Sequence, residues 1–310
     1  MVCDVAIRTV GLTKYYGRQC GIEALDLEVP VGEVFGFLGP NGAGKTTTIR
    51  MLLGLLHPTR GTAQLLGLDS ERAGVTLRRR VGYLPGELTM YENLRGHEFL
   101  HFMARMRGGV PEDAFVKLAE RLDLDLSRHI HDLSKGNRQK LGVVQAFMHD
   151  PDLLVLDEPT SGLDPLVQLT FSELVREATA RGASVFLSSH VLAEVEQLAD
   201  RVGIVVEGHL VVVERISTLK ERAVRRLDLD LGRPVDPTVF AAVRGVKDVT
   251  VHGDIASCVV TGHVTELLRE AVAQGVLNVV SHEPDLEEIF LGYVAGGVDR
   301  ADDLDRQNLA

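Results

Sequence analysis

The chain has 310 residues, 45% hydrophobic and 25% charged, the composition of a soluble globular protein whose length suits two domains better than one core. A formal net charge of −11 argues against a nucleic-acid binder that works by neutralising phosphates, and no nucleic-acid partner is expected. Cys3, Cys20 and Cys258 are widely spaced with no CxxC pair, so neither a disulfide scaffold nor a zinc site is suggested and the cytosol fits best; no run approaches the ~18 apolar residues of a membrane helix, so no bilayer span is expected.

Along the chain, VAIRTVGLTKYYG and GIEALDLEVPVGEVFGFLG read as short strands, the last part, GEVFGFLG, being a continuous apolar strand that ends in glycine. GPNGAGKTT follows, and KTTTIRMLLGLL has the apolar spacing of a buried helix. HPTRGTAQLLG supplies a turn and a strand, and RRRVGYLP a strand closed by proline. From about 87 to 150 the pattern is helical, as in TMYENLRGHEFLHFMARMRG and PEDAFVKLAERLDL, which predicts a helical insertion.

Strand character then returns in PDLLVLDEP and ASVFLSS, alternating with the helices LVQLTFSELVREATARG and VLAEVEQLADR. Such alternation predicts a parallel sheet covered by helices on both faces. VGIVVEGHLVVVE is a hairpin turning at Glu207 and Gly208, and RISTLKERAVRR is a charged connector. The expected division is a first domain over 1–220, a small α+β domain over 221–295 and a disordered tail over 296–310.

Three stretches carry chemistry. GPNGAGKT fits GxxxxGK[ST], in which successive backbone N–H groups converge on phosphates at a helix N-terminus. The candidate nucleotide-binding residues are therefore Gly39, Pro40, Asn41, Gly42, Ala43, Gly44, Lys45, Thr46 and Thr47, with Lys45 on the β and γ phosphates and Thr46 on Mg²⁺. LLVLDEP sets two carboxylates at the end of an apolar strand, where Asp157 suits the Mg²⁺ shell and Glu158 a base for an attacking water. Taken alone, an Asp-Glu-Pro helix-capping turn is the other reading. His190, at the end of the next strand, can reach the γ-phosphate from the same sheet edge or serve as a local hydrogen-bonding residue.

The third stretch, DLSKGNRQK, is a second anion-type turn opening a helix, which one phosphate loop does not explain. GPNGAGKTT, LSKGNRQK, LVLDEPTSGLD and SSH, in that order, resemble the ATPase subunit of ATP-binding cassette (ABC) transporters over about the first two-thirds of the chain. The resemblance implies a P-loop NTPase with a parallel-sheet core, an antiparallel β subdomain and a helical insertion, ATP and Mg²⁺ as cofactors, and a head-to-tail homodimer held by ATP. It also explains the second turn, since Ser134 and Gly136 match the signature motif that completes the partner's nucleotide site. Tyr16 matches the aromatic that stacks on adenine, though a strand-edge aromatic is equally compatible with its sequence context, and Asp164 matches a residue communicating across the interface.

LSKGNRQK, VGYLPGELTMYENL and the closing EPDLEEIFLGYV resemble in particular the ATPase subunits of ABC-2 type bacterial exporters, which include drug and antibiotic efflux systems. That branch implies a separate multi-span permease and a peripheral position on the inner face of the cell membrane. One departure stands out: where the family usually has a glutamine touching Mg²⁺ and water, this chain has Gly86 followed by Glu87, so a water-completed metal shell with Glu87 near it is expected. The alternatives are a soluble cassette ATPase acting on ribosomes or DNA, and a nucleotide-gated regulatory module with little turnover.

Overall fold

The computed structural model describes residues 4–222, 225–260 and 263–282; EPDLEEIFLGYV and the tail lie outside the described residues. In chain order, β1 (Val5–Tyr16) and β2 (Gln19–Pro30) pair antiparallel, and β3 (Val34–Leu38) leads through the glycine-rich turn into α1 (Lys45–Leu52). β4 (Arg60–Leu65), β5 (Leu68–Asp69), α2 (Gly74–Arg80) and β6 (Val81–Leu84) precede three helices, α3 (Gly96–Met106), α4 (Glu112–Arg121) and α5 (Lys135–Phe147). β7 (Leu153–Asp157), α6 (Pro165–Ala180), β8 (Ser184–Ser189), α7 (Leu192–Leu198), β9 (Arg201–Val206) and β10 (His209–Arg215) follow, then α8 (Ile216–Arg222). The last described elements are β11 (Arg225–Asp230), α9 (Pro237–Ala241), β12 (Val246–His252), β13 (Ile255–Val260), α10 (Thr265–Ala273) and β14 (Asn278–His282).

The described residues form three sheets, ordered β2-β1-β4-β5, β10-β9-β3-β8-β7-β6 and β12-β13-β11-β14. In the central sheet β3, β8, β7 and β6 run parallel, and every residue of β3, β7 and β8 is buried, as the apolar stretches VFGFL, LLVL and VFL require of strands covered on both faces. Phe35, Phe37 and Phe186 pack together in this core, with ring centroids 5.8 and 5.4 Å apart. Adjacency of β3, β8 and β7 brings the turns after all three strands to one sheet edge, where the phosphate loop, His190 and the paired carboxylates therefore meet.

The described residues divide between Val213 and Glu214, so α8 belongs with the C-terminal unit. After α8 that unit has the described element order β-α-β-β-α-β, with Leu227, Leu229, Phe240, Ala256, Cys258 and Leu267 forming its own core. One sequence expectation is corrected: Arg78–Arg80 are not strand but the last turn of α2, where cations complement the helix dipole, and the strand starts at Val81. With Leu77 its one buried residue, α2 has too little apolar periodicity to betray itself.

Gly82, in β6, shows how tightly the helical insertion seats on the sheet. A Cβ there would lie 2.2 Å from the Ala146 carbonyl oxygen of α5 and 2.9 Å from Pro151 Cγ. Gly82→Ala is expected to destabilise the protein by about 1–3 kcal/mol through forced displacement of that backbone. Urea melts of the two proteins measure it, and an unchanged midpoint would show that α5 and β6 are less closely apposed.

Candidate functional site

The turn after β3 is built on close backbone approach. A Cβ at Gly39 would strike the Val205 carbonyl oxygen at 2.4 Å; Gly44, with φ +109°, would strike that of Gly21 at 2.3 Å, so both positions exclude side chains. The loop thereby folds over the end of α1, whose first residue, Lys45, is buried at 7% exposure. Its Nζ donates to the carbonyls of Gly39 (2.7 Å) and Pro40 (3.3 Å) and lies 3.5 Å from Glu158 Oε1. Thr46 Oγ1 donates to Asp157 Oδ2 at 2.8 Å, joining the two candidate metal ligands across α1 and β7.

The carboxylate pair is held from several directions. Asp157, 1% exposed, accepts on Oδ1 from Ser188 Oγ at 2.5 Å. Glu158 adopts the left-handed region at φ +49°, unusual for a side-chain-bearing residue. Its N–H donates to both the carbonyl and hydroxyl of Ser188, at 3.2 Å each, and its own carbonyl accepts from Gln139 Nε2 at 3.3 Å. On its side chain, Oε2 lies 2.7 Å from His190 Nδ1, so His190 and Lys45 flank one carboxylate. A donor set of one hydroxyl and one buried carboxylate is suited to a hard divalent cation such as Mg²⁺.

Lys45, Thr46 and Glu158 open on a cleft of ≈ 290 Å³ whose wall also includes Tyr16, Cys20, Asn41 and Gly42, whereas Asp157 and His190 are not part of that wall and join it through Thr46 and Glu158. Tyr16 is half exposed there, with Lys14 Nζ 5.6 Å from its ring centre. Ser134 and Gly136 are not part of that wall; they sit at the head of α5, where Ser134 Oγ accepts from the Asn137 N–H at 3.2 Å. Asp164 caps α6 in the same way, accepting from Val167 N–H. Gly86 adjoins the site: a Cβ on it would be 3.3 Å from Asp157 Oδ2, while Glu87 is exposed.

Sequence reasoning missed Ser188 and Gln139, whose contacts span 31 and 19 residues; the hydroxyl of LSSH was the only local signal. It also missed Cys20 on the cleft wall. Burial, then the Glu23 charge, pushes the Cys20 thiol up, and burial pushes Cys258 up to about 11. Cys20 is thus expected to alkylate slowly at neutral pH and faster as pH rises, with saturating non-hydrolysable nucleotide slowing it by about tenfold, whereas Cys258 stays unmodified in the folded chain. Peptide mass spectrometry reads both; equal Cys20 rates with and without nucleotide would place the nucleotide elsewhere.

With that geometry in place, comparison with known proteins gives the class. The family profile described as "ABC transporter" matches residues 22–161. The bacitracin transport ATP-binding protein BcrA of Enterococcus faecalis is 36% identical over 304 residues, covering 96% of this chain and 99% of its own. The daunorubicin/doxorubicin resistance ATP-binding protein DrrA of Streptomyces peucetius is 37% identical over 264 residues, 76% of this chain and 80% of its own. A solved ATP-binding subunit of an ABC transporter superposes with TM-score 0.64 at 32% identity, over 69% of this chain and 92% of that one. The chain belongs to the ABC transporter family, as one of its ATP-binding ATPase subunits with the P-loop NTPase fold.

Proposed function

We propose that this chain is the ATP-hydrolysing motor of an ABC-2 type exporter, working as a two-chain nucleotide sandwich beneath a separate membrane permease. The observation that carries it is the division of labour within one chain: Lys45, Thr46 and Glu158 face one cleft, while Ser134 and Gly136 lie outside its wall. A second copy, related by a two-fold axis, would supply that missing turn to each cleft. Drug or antibiotic export follows from likeness to BcrA and DrrA, whose names specify bacitracin and daunorubicin/doxorubicin. Among the described residues no helix is long and apolar enough to cross a membrane, so the transport path would belong to the permease and the chain would sit on the membrane through it.

The chemistry follows from the side chains. Gly39 to Thr47 cradle the phosphates with backbone N–H groups, Lys45 neutralises them, and Tyr16 stacks on the base. Thr46 and Asp157 would hold Mg²⁺, which when bound offsets charge building on the transferred phosphoryl group. Glu158 orients the attacking water and accepts its proton, His190 steadies the γ-phosphate, and the bond from the γ-phosphorus to the bridging oxygen breaks to release ADP and phosphate. The C-terminal unit, from 214 onward, takes a regulatory or assembly role. Reconstituting the chain with a multi-span membrane protein found encoded beside it tests the proposal: hydrolysis should rise several-fold, and a rise with ribosomes or DNA instead would overturn it.

Gly86 and Glu87 give a second handle on the metal. Gly86 has no positive φ, and a Cβ there would meet Asp157 Oδ2 at 3.3 Å, a contact relieved by a shift of a few tenths of an ångström, so Gly86→Gln should preserve or raise hydrolysis. Glu87→Ala should weaken apparent Mg²⁺ affinity by about threefold, the scale of one screened surface charge. Mg²⁺ titrations of ATPase rate check both, and an unchanged midpoint for Glu87→Ala would leave the shell without help from this loop.

A further inference from the structure

One face of α5 touches both ends of the loop that follows β7. At the head of the helix, Gly136 is pressed so close that a Cβ would lie 2.7 Å from the Gly162 carbonyl oxygen. The Lys135 stem passes the same residue, each of three carbons 3.6 Å from where a Gly162 Cβ would be. Three residues after Gly136, and so on the same helix face, Gln139 reaches the loop's other end. It is 4% exposed, and its Nε2 donates to the carbonyls of Glu158 (3.3 Å) and Pro159 (2.9 Å).

The peptide units flanking Glu158 are thereby gripped from both sides, by Ser188 of β8 on its N–H and by Gln139 of α5 on its carbonyl. The grip matters because φ +49° is not a conformation glutamate holds by preference; surrounding hydrogen bonds must impose it. β8 is part of the rigid central sheet, whereas α5 belongs to the helical insertion. Displacement of α5 along or about its axis would therefore shift the carbonyl side of the turn and swing the Glu158 carboxylate.

We propose that Gln139 is a positioning residue that ties the Ser134–Gly136 turn to Glu158 of the same chain, so that nucleotide in one composite site aligns the base of the other. The logic, which rests on the composite-site reading above, is topological. Ser134 and Gly136 face the nucleotide bound to the second copy, while Glu158 serves the nucleotide bound to its own chain, and Gln139 is a buried polar bridge between them. Each site is then made competent by the nucleotide in its twin, and hydrolysis depends cooperatively on ATP.

The test uses the full chain with Gln139→Met, which keeps length and burial but removes the donor, and Gln139→Glu, which presents only acceptors to two carbonyls. For Gln139→Met the expected result is a kcat about tenfold lower, with half-saturating ATP within about twofold and a Hill coefficient falling from near 2 to near 1. Gln139→Glu should lose at least as much, and decides the matter if the methionine variant does not fold. A parental Hill coefficient of 1, or variants that lose rate but keep the parental coefficient, would overturn the link and reduce Gln139 to packing. Glu158→Gln, run beside them, keeps the two ideas apart: a parental rate in that variant removes Glu158 as the base and the proposed chemistry with it, whereas its loss of turnover beside a fully cooperative Gln139→Met overturns only the bridge.

Discussion

Glu158→Gln is expected to bind ATP within about threefold of the parent while turnover falls by roughly 10²–10⁴, the range for removing a positioned general base. The amide retains the shape that sits between Lys45 Nζ, at 3.5 Å, and His190 Nδ1, at 2.7 Å, so the cleft stays closed around the same neighbours. What disappears is the negative charge that, in the proposed mechanism, would orient water and take its proton. Because ATP then binds without being consumed, nucleotide-bound dimer should accumulate on size exclusion in the presence of ATP and Mg²⁺. Phosphate release measures the loss; a parental rate would remove Glu158 from the chemistry.

The second large effect comes from mixing. Lys45→Ala should weaken ATP binding by about 10- to 150-fold, the loss of one charge-assisted contact, and Ser134→Arg should block the turn offered to the partner. Each homodimer is defective at both composite sites. In a heterodimer of the two, one site combines the alanine and the arginine, and the other combines native Lys45 with native Ser134. Mixing should therefore restore nucleotide-dependent dimerisation and part of the ATPase, up to about a quarter of the parental rate if chains pair at random and sites act singly. Cooperation through Gln139 would lower that figure further. No recovery with both variants folded would argue that each site is complete in one chain.

Much of this site was legible in sequence because phosphate binding is local. Gly39 to Thr46 must be contiguous to converge N–H groups on one anion, and the buried strand LLVLD followed by Glu158 presents a carboxylate pair at a strand end, which a cation or a reaction would account for and which a helix-capping turn also fits. The parallel core was legible for a similar reason, since β3 and most of β7 are apolar runs and β8 has the apolar centre VFL. What sequence did not reveal is the support around Glu158. Ser188 and Gln139 are ordinary residues in ordinary elements, and they matter because β8 and α5 fold onto the turn after β7. α2 escaped detection because little of it is buried, and Cys20 because the cleft wall includes a β-strand rather than the loops alone.

The claim that two chains share each active site is tested most directly by phosphate release at saturating Mg²⁺ and ATP over a wide range of chain concentration. A site completed by a second copy predicts a rate per chain that rises with concentration and reaches a plateau once dimer predominates, with the rise abolished by Ser134→Arg. A rate per chain that stays constant down to concentrations where the protein is monomeric by size would contradict the account, because Ser134 and Gly136 would then have no partner to serve.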